Sequence, residues 1–114
     1  MTLSFKPGVK LAGVKPWTVA GMSAAHSVYV SHGLPCVVTS VCDVAPGRVH
    51  NTKHAFGDAF DLRLPSRMGA TLSCDEKVAA ELTSALGPEW FVLLHGDAAA
   101  GTRHLHVQFN GAAA

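Results

Sequence analysis

Two short stretches constrain this chain more than any others: T-K-H-A-F-G-D-A-F-D at residues 52–61 and H-L-H at 104–106. Each crowds residues able to hold a divalent metal into a few positions, and each runs into apolar–polar alternation, the period of a strand. In residues 59–64, Asp61 and Arg63 point one way while Phe60, Leu62 and Leu64 point the other. In residues 103–109, His104, His106 and Gln108 share one face, and Leu105, Val107 and Phe109 share the opposite one. If these two strands lie side by side, Asp61 and His106 converge.

The remaining elements follow from periodicity and breakers. Residues 1–17 hold Pro7, Gly8, Gly13 and Pro16 and read as an irregular N-terminal arm. Thr18 can cap a helix in which Val19, Met22, His26, Tyr29 and Val30 recur three and four apart and so share a face; Gly33 and Pro35 stop it. C-V-V-T-S-V at 36–41 is β-branched and short, a buried strand, and residues 42–54 form a long loop. After a loop at 65–71, S-C-D-E at 73–76 has the form of a capping box, which makes Glu76 a cap rather than a catalyst. The helix it opens carries Val78, Leu82 and Leu86 on one face and ends at Gly87-Pro88. W-F-V-L-L-H at 90–95, the turn G-D-A-A-A-G and the returning strand at 103–109 read as a β-hairpin. The expectation is an α+β domain at residues 18–110 with a mainly antiparallel sheet and two principal helices, followed by a frayed tail at 111–114.

At 114 residues the chain is long enough for one core, and its formal net charge of +1, with basic residues scattered, excludes a nucleic-acid footprint. No apolar run reaches the roughly 18–20 residues of a membrane span. The opening M-T-L-S-F-K-P-G lacks the apolar core of a secretory signal. An odd set of three cysteines, Cys36, Cys42 and Cys74, argues against a disulfide framework and for synthesis in a reducing compartment; buried apolar packing explains them best. A monomer made in the cytoplasm is expected.

His54 stands seven residues before Asp61 with Gly57 between them, so it can fold back across a turn towards the strand pair. Two neutral imidazoles and one carboxylate leave a fourth tetrahedral position for water, which is the pattern of a catalytic rather than a structural zinc site. Zinc brings the pKa of such a water to about 7 and polarises a carbonyl, chemistry suited to amide hydrolysis. An isolated histidine is more often packed or solvated than a ligand, and that reading is kept for His26, His32 and His50.

T-K-H-A-F-G-D-A-F-D resembles the S-x-H-x-x-G-x-A-x-D motif of the D-alanyl-D-alanine carboxypeptidases and related phage endolysins, a superfamily that includes the lysostaphin-type endopeptidases and the Hedgehog signalling domain. V-V-T-S at 37–40 looks like the V-T-S strand preceding that motif, and H-L-H-V-Q-F resembles the closing strand. The resemblance covers roughly residues 18–109 and implies a small Hedgehog/DD-peptidase-like fold around a single zinc ion held by His54, Asp61 and His106. It implies that His104 stabilises an oxyanion or shuttles a proton, that Thr52 replaces the serine that anchors substrate, that Gly57 permits a close turn, and that Ala59 leaves room beside the metal.

Two positions depart from the pattern. The carboxypeptidase branch has an Arg soon after T-S, able to grip a substrate's C-terminal carboxylate; here Val41, Cys42 and Asp43 follow, leaving Arg48 as the substitute. That ranks an endopeptidase above a D-Ala-D-Ala carboxypeptidase. The branch also often has an acidic general base three residues before the last histidine, where this chain has Arg103, which cannot accept a proton. His104 is the first candidate for the base, with Asp97 second and His95 also available. The implied function is hydrolysis of a peptide bond in bacterial peptidoglycan, in the stem peptide or a cross-link, reached after release or delivery. The alternatives are a zinc-bearing binding module without turnover, and a chain whose histidines bind no metal.

Overall fold

One face of each strand is apolar, and the chain covers those faces with two helices. The computed structural model describes residues 2–42, 52–96 and 101–111. The elements run β1 (Leu3–Phe5), α1 (Pro16–Ser31), β2 (Cys36–Ser40), a single helical turn α2 (Thr52–Ala55), β3 (Ala59–Leu62), a 3-10 turn (Pro65–Met68), α3 (Leu72–Leu86), β4 (Trp90–His95) and β5 (His104–Phe109). They form an α+β domain around a five-stranded mixed sheet of order β1-β2-β3-β5-β4. Three of the four pairings are antiparallel, and β1 joins β2 in parallel. No helix among the described residues is long and apolar enough to cross a membrane.

Val38, Phe60, Leu62, Leu105 and Val107 project from the covered face of the sheet and pack with Met22, Ala25 and Tyr29 of α1 and Val78 and Leu82 of α3. Each such side chain withdrawn from water stabilises the fold by about 1.5–3 kcal/mol, before the ordering entropy is counted. Close approach is built in at Gly21, where an added Cβ would lie 2.5 Å from the Trp90 ring. Tyr29 reaches through this layer, and its hydroxyl donates to the Arg63 carbonyl at 2.7 Å.

Several local expectations are corrected. The 1–17 segment is not wholly irregular: Leu3, Ser4 and Phe5 pair with Cys36, Val37 and Val38. The first helix begins at Pro16, two residues before Thr18, because proline's missing N–H costs nothing in a first turn. Thr18 is therefore no cap. Its buried hydroxyl donates to the Gly57 carbonyl at 2.6 Å, tying α1 to the segment before β3. The buried face of α1 is rotated accordingly, with Thr18, Gly21, Met22, Ala25 and Tyr29 inside, while Val19 and Val30 are 52% and 42% exposed. The second helix begins at Leu72 with Thr71 in the cap position and no side-chain cap bond, so Ser73 and Glu76 make no capping box. Asp75 takes the local role: it is fully buried and accepts from the Ser66 N–H at 2.8 Å and hydroxyl at 2.6 Å, fastening the 3-10 turn to α3. The loop expected at 42–54 lies largely outside the described residues, but its end is helical and carries His54.

Candidate metal centre

The sheet order decides the site. β5 lies between β3 and β4, and in the β3–β5 register Asp61 is the direct partner of His106. Partners across an antiparallel pair project from the same face, so carboxylate and imidazole meet on the face the helices leave open. His54 arrives from α2, and the turn between it and β3 depends on Gly57, which has φ +76°. An added Cβ there would sit 2.1 Å from the Gly13 carbonyl oxygen, so no other residue fits that turn unchanged. Gly57 also accepts from Lys15 N–H and the Thr18 hydroxyl, so the turn that aims His54 is fastened to the start of α1. On its other side, β2 has one extra residue between Val38, opposite Leu62, and Ser40, opposite Asp61. Val41, just beyond this irregularity, provides the carbonyl that holds His54.

One ligand atom each from His54, Asp61 and His106 lies within 4.8 Å of the other two, close enough to hold a single metal ion. His54 Nε2 stands 3.3 Å and His106 Nδ1 3.0 Å from Asp61 Oδ1, and His104 Nε2 is 3.5 Å from Oδ2. Each ring has its other nitrogen engaged. His54 Nδ1–H donates to the Val41 carbonyl at 2.6 Å and His104 Nδ1–H to the Thr102 carbonyl at 2.8 Å. His106 Nε2–H donates to Gln108 Oε1 at 2.8 Å, and the Gln108 amide nitrogen donates onward to Asn110 Oδ1 at 2.7 Å, which orients the amide.

These outer bonds settle which nitrogen keeps its lone pair when the rings are neutral. All three lone pairs then face the Asp61 carboxylate, an arrangement of acceptors against an acceptor that only positive charge reconciles. Protons can supply it, but three imidazolium rings around one carboxylate repel each other, and the His54 and His106 ring centres are 5.1 Å apart. One divalent cation between His54, Asp61 and His106 satisfies the same lone pairs at once. The donor set of two imidazoles and a carboxylate fits such an ion. In the metal-free protein, burial alone would raise the Asp61 carboxyl; hydrogen bonds from His106 and His54 and the charges of His54 and His104 outweigh it and hold the group well below the usual carboxylate range.

The expected ligands His54, Asp61 and His106 are thus brought together, and His104 is placed at the edge of the cluster. His95 is the cross-strand partner of His104 and packs its ring edge-on against it at 5.5 Å, on the β4 side of the centre. Arg48, Asp97 and the side chain of Thr52 lie outside the described residues. Ala59 is fully buried and pairs with Gln108. Sequence reasoning missed the parts played by Gln108 and by the Val41 carbonyl. Gln108 carried a visible signal, its two-residue step from His106 on the same face; a backbone carbonyl carries none. Phe91 and Leu93, 42% and 39% exposed, pair with Gln108 and His106 and extend the open face with apolar surface. No family model, curated protein or solved structure matches the chain.

Proposed function

We propose that this chain is a zinc-dependent peptidase with a small Hedgehog/DD-peptidase-like fold, cutting a peptide bond in bacterial peptidoglycan in the manner of phage endolysins. The observation that carries the reading is the convergence of His54 Nε2, Asp61 and His106 Nδ1 within 4.8 Å on the uncovered face of the sheet, with His104 beside them. Two imidazoles and one carboxylate favour zinc over the harder cations, which prefer all-oxygen sites. Bound there, zinc supplies Lewis acidity towards a carbonyl oxygen and lowers the pKa of a coordinated water.

The chain's own residues supply the rest. Val41 and Gln108 keep His54 and His106 in the tautomers that ligation needs. His104, held at Nδ1 by the Thr102 carbonyl, presents Nε2 to the edge of the centre, where it takes up or releases a proton and donates to a developing oxyanion. Endopeptidase action ranks before carboxypeptidase action, because Val41 and Cys42 stand where the carboxypeptidase branch has its Arg.

The test is to quantify zinc in the purified protein and follow muropeptide release from peptidoglycan by mass spectrometry, for wild type and His106→Ala. We expect one zinc per chain and cleavage that the substitution abolishes; full zinc loading with no bond cleaved sinks the enzyme reading. One observation favours a second reading, a zinc-bearing binding module: Arg103 occupies the position of the acidic base. Peptidoglycan binding that survives a chelator, without turnover, would select it.

A further inference from the structure

Beside the metal centre lies a pocket of about 310 Å³, walled in part by Asp61 and His104 themselves. Its other charged lining is entirely basic: Lys6, which follows β1, Arg63 just after β3, Arg67 from the 3-10 turn, and Arg103 before β5. Arg63 and Arg67 are near neighbours in the chain, but Lys6 and Arg103 lie far from them, and only the fold brings all four together. Asp61 does little to balance them, since its oxygens are turned to the imidazoles of His54, His104 and His106. Among the described residues, Lys6, Arg63, Arg67 and Arg103 make no ion pair. A guanidinium nitrogen of Arg67 donates to the Gly101 carbonyl, which braces that side chain in the wall.

Four cations gathered around one concavity repel each other, and the repulsion is relieved when an anion enters. A single carboxylate saturates one guanidinium fork and leaves the surplus standing; a doubly charged group answers more of it. The volume is at the small end for a ligand pocket, enough for one short acidic residue rather than an extended chain.

We propose that this pocket is a specificity site for a substrate residue carrying two carboxylates, held by Lys6, Arg63, Arg67 and Arg103 while the neighbouring carbonyl lies at the His54–Asp61–His106 cluster. The choice of carboxylate over other dianions rests on the peptidase reading, because carboxylates are the anions that peptides carry. The site is built where β3 ends and β5 begins, whereas the apolar Phe91 and Leu93 lie on β4, so charged and apolar contacts to a peptide would come from different parts of the open face. It takes the place of the Arg that the sequence lacks after T-S, from residues that no motif groups together.

The experiment is a calorimetric titration of the whole chain, with zinc and again with chelator, using N-acetyl-alanyl-glutamate, whose last residue carries both carboxylates, its diamide and inorganic phosphate. The dicarboxylate should bind in both metal states, the diamide should bind at least about tenfold more weakly, and affinity should fall as salt rises. Arg63→Gln combined with Lys6→Gln should weaken dicarboxylate binding by about tenfold or more while the zinc content stays that of the wild type. Equal binding of dipeptide and diamide overturns the pocket, needs no variant to fold, and leaves the metal centre untouched. Phosphate binding more tightly than the dicarboxylate overturns its assignment to a peptide residue. Dicarboxylate binding in a protein that cleaves no peptide supports the pocket and overturns the peptidase reading instead.

Discussion

On the covered face of the sheet, Phe60, Leu62, Leu105 and Val107 are fully buried among aliphatic and aromatic neighbours. One position along the same strands, on the open face, Asp61, His104, His106 and Gln108 form a chain of polar contacts. The two faces share a backbone and a register but are held by different physics. Burial is non-directional and shared by many side chains, so the covered face tolerates imperfect detail. The open face depends on a few atoms at fixed distances, and without a cation its acceptors oppose each other. Adjacent residues on one strand should therefore fail in different ways when changed.

The largest effect belongs to the covered face. Phe60→Ala removes a fully buried ring that also packs edge-on against Trp90 at 6.5 Å. It should lower stability by about 3–5 kcal/mol in denaturant titrations while the molecules that remain folded bind the same amount of metal. Its neighbour Asp61→Asn should do the reverse, removing metal binding and leaving a folded chain by circular dichroism. Metal lost from still-folded Phe60→Ala would show that the faces are coupled and break the comparison.

A smaller effect separates the ligands from what orients them. Gln108 touches no ligand position itself but receives the His106 Nε2 proton at 2.8 Å. Gln108→Leu keeps the size of the side chain and removes that acceptor, so the His106 ring is free to turn or change tautomer. Metal affinity, read by competition with a chromophoric chelator, should fall by about 10–100-fold. The stability of the metal-free protein should change by less than about 1 kcal/mol, since the residue lies outside the apolar core. An unchanged affinity would mean that the β3–β5 register alone orients His106.

The contrast also explains what could be read from the chain. Alternation in residues 59–64 and 104–109 marks both faces at once, so the strand pair, its apolar layer and the Asp61–His106 meeting are visible in the sequence. The α3 face of Val78 and Leu82 is visible for the same reason. What escapes notice is held by partners far along the chain. Three residues, Leu3–Phe5, are too few to show a period, and they form a strand only because β2 offers an edge. Thr18 has the side chain of a cap, yet its acceptor is the Gly57 carbonyl, 39 residues away. Ser73 and Glu76 have capping-box spacing, but Asp75, bonded to Ser66, fixes how that turn begins. The basic pocket is hidden likewise, since Lys6, Arg63, Arg67 and Arg103 share neither motif nor spacing.

The last effect shows only when pH is moved away from neutral, and here the two faces shift in opposite directions. Burial on the covered face pushes the Cys36 thiol from 9.0 up to about 12 and raises the Tyr29 hydroxyl in the same sense. A group whose folded pKa is raised keeps its stabilising contribution below its ordinary pKa and loses it as pH climbs towards the folded value, because the unfolded chain ionises first. Cys36 should thus cost stability progressively between pH 9.0 and about 12, with a slope of at most about 1.4 kcal/mol per pH unit. Asp61 on the open face is shifted down, so in the metal-free protein its contribution is present above the ordinary carboxylate value of 3.8 and is lost as pH falls below it. Denaturant midpoints measured across pH in the presence of chelator test both limbs. Cys36→Ala should flatten part of the alkaline limb, leaving the Tyr29 share, and Asp61→Asn should flatten part of the acid limb alone. If Cys36→Ala left the alkaline slope intact, the thiol would not be kept neutral by its burial, and the electrostatic half of the contrast between the faces would fall.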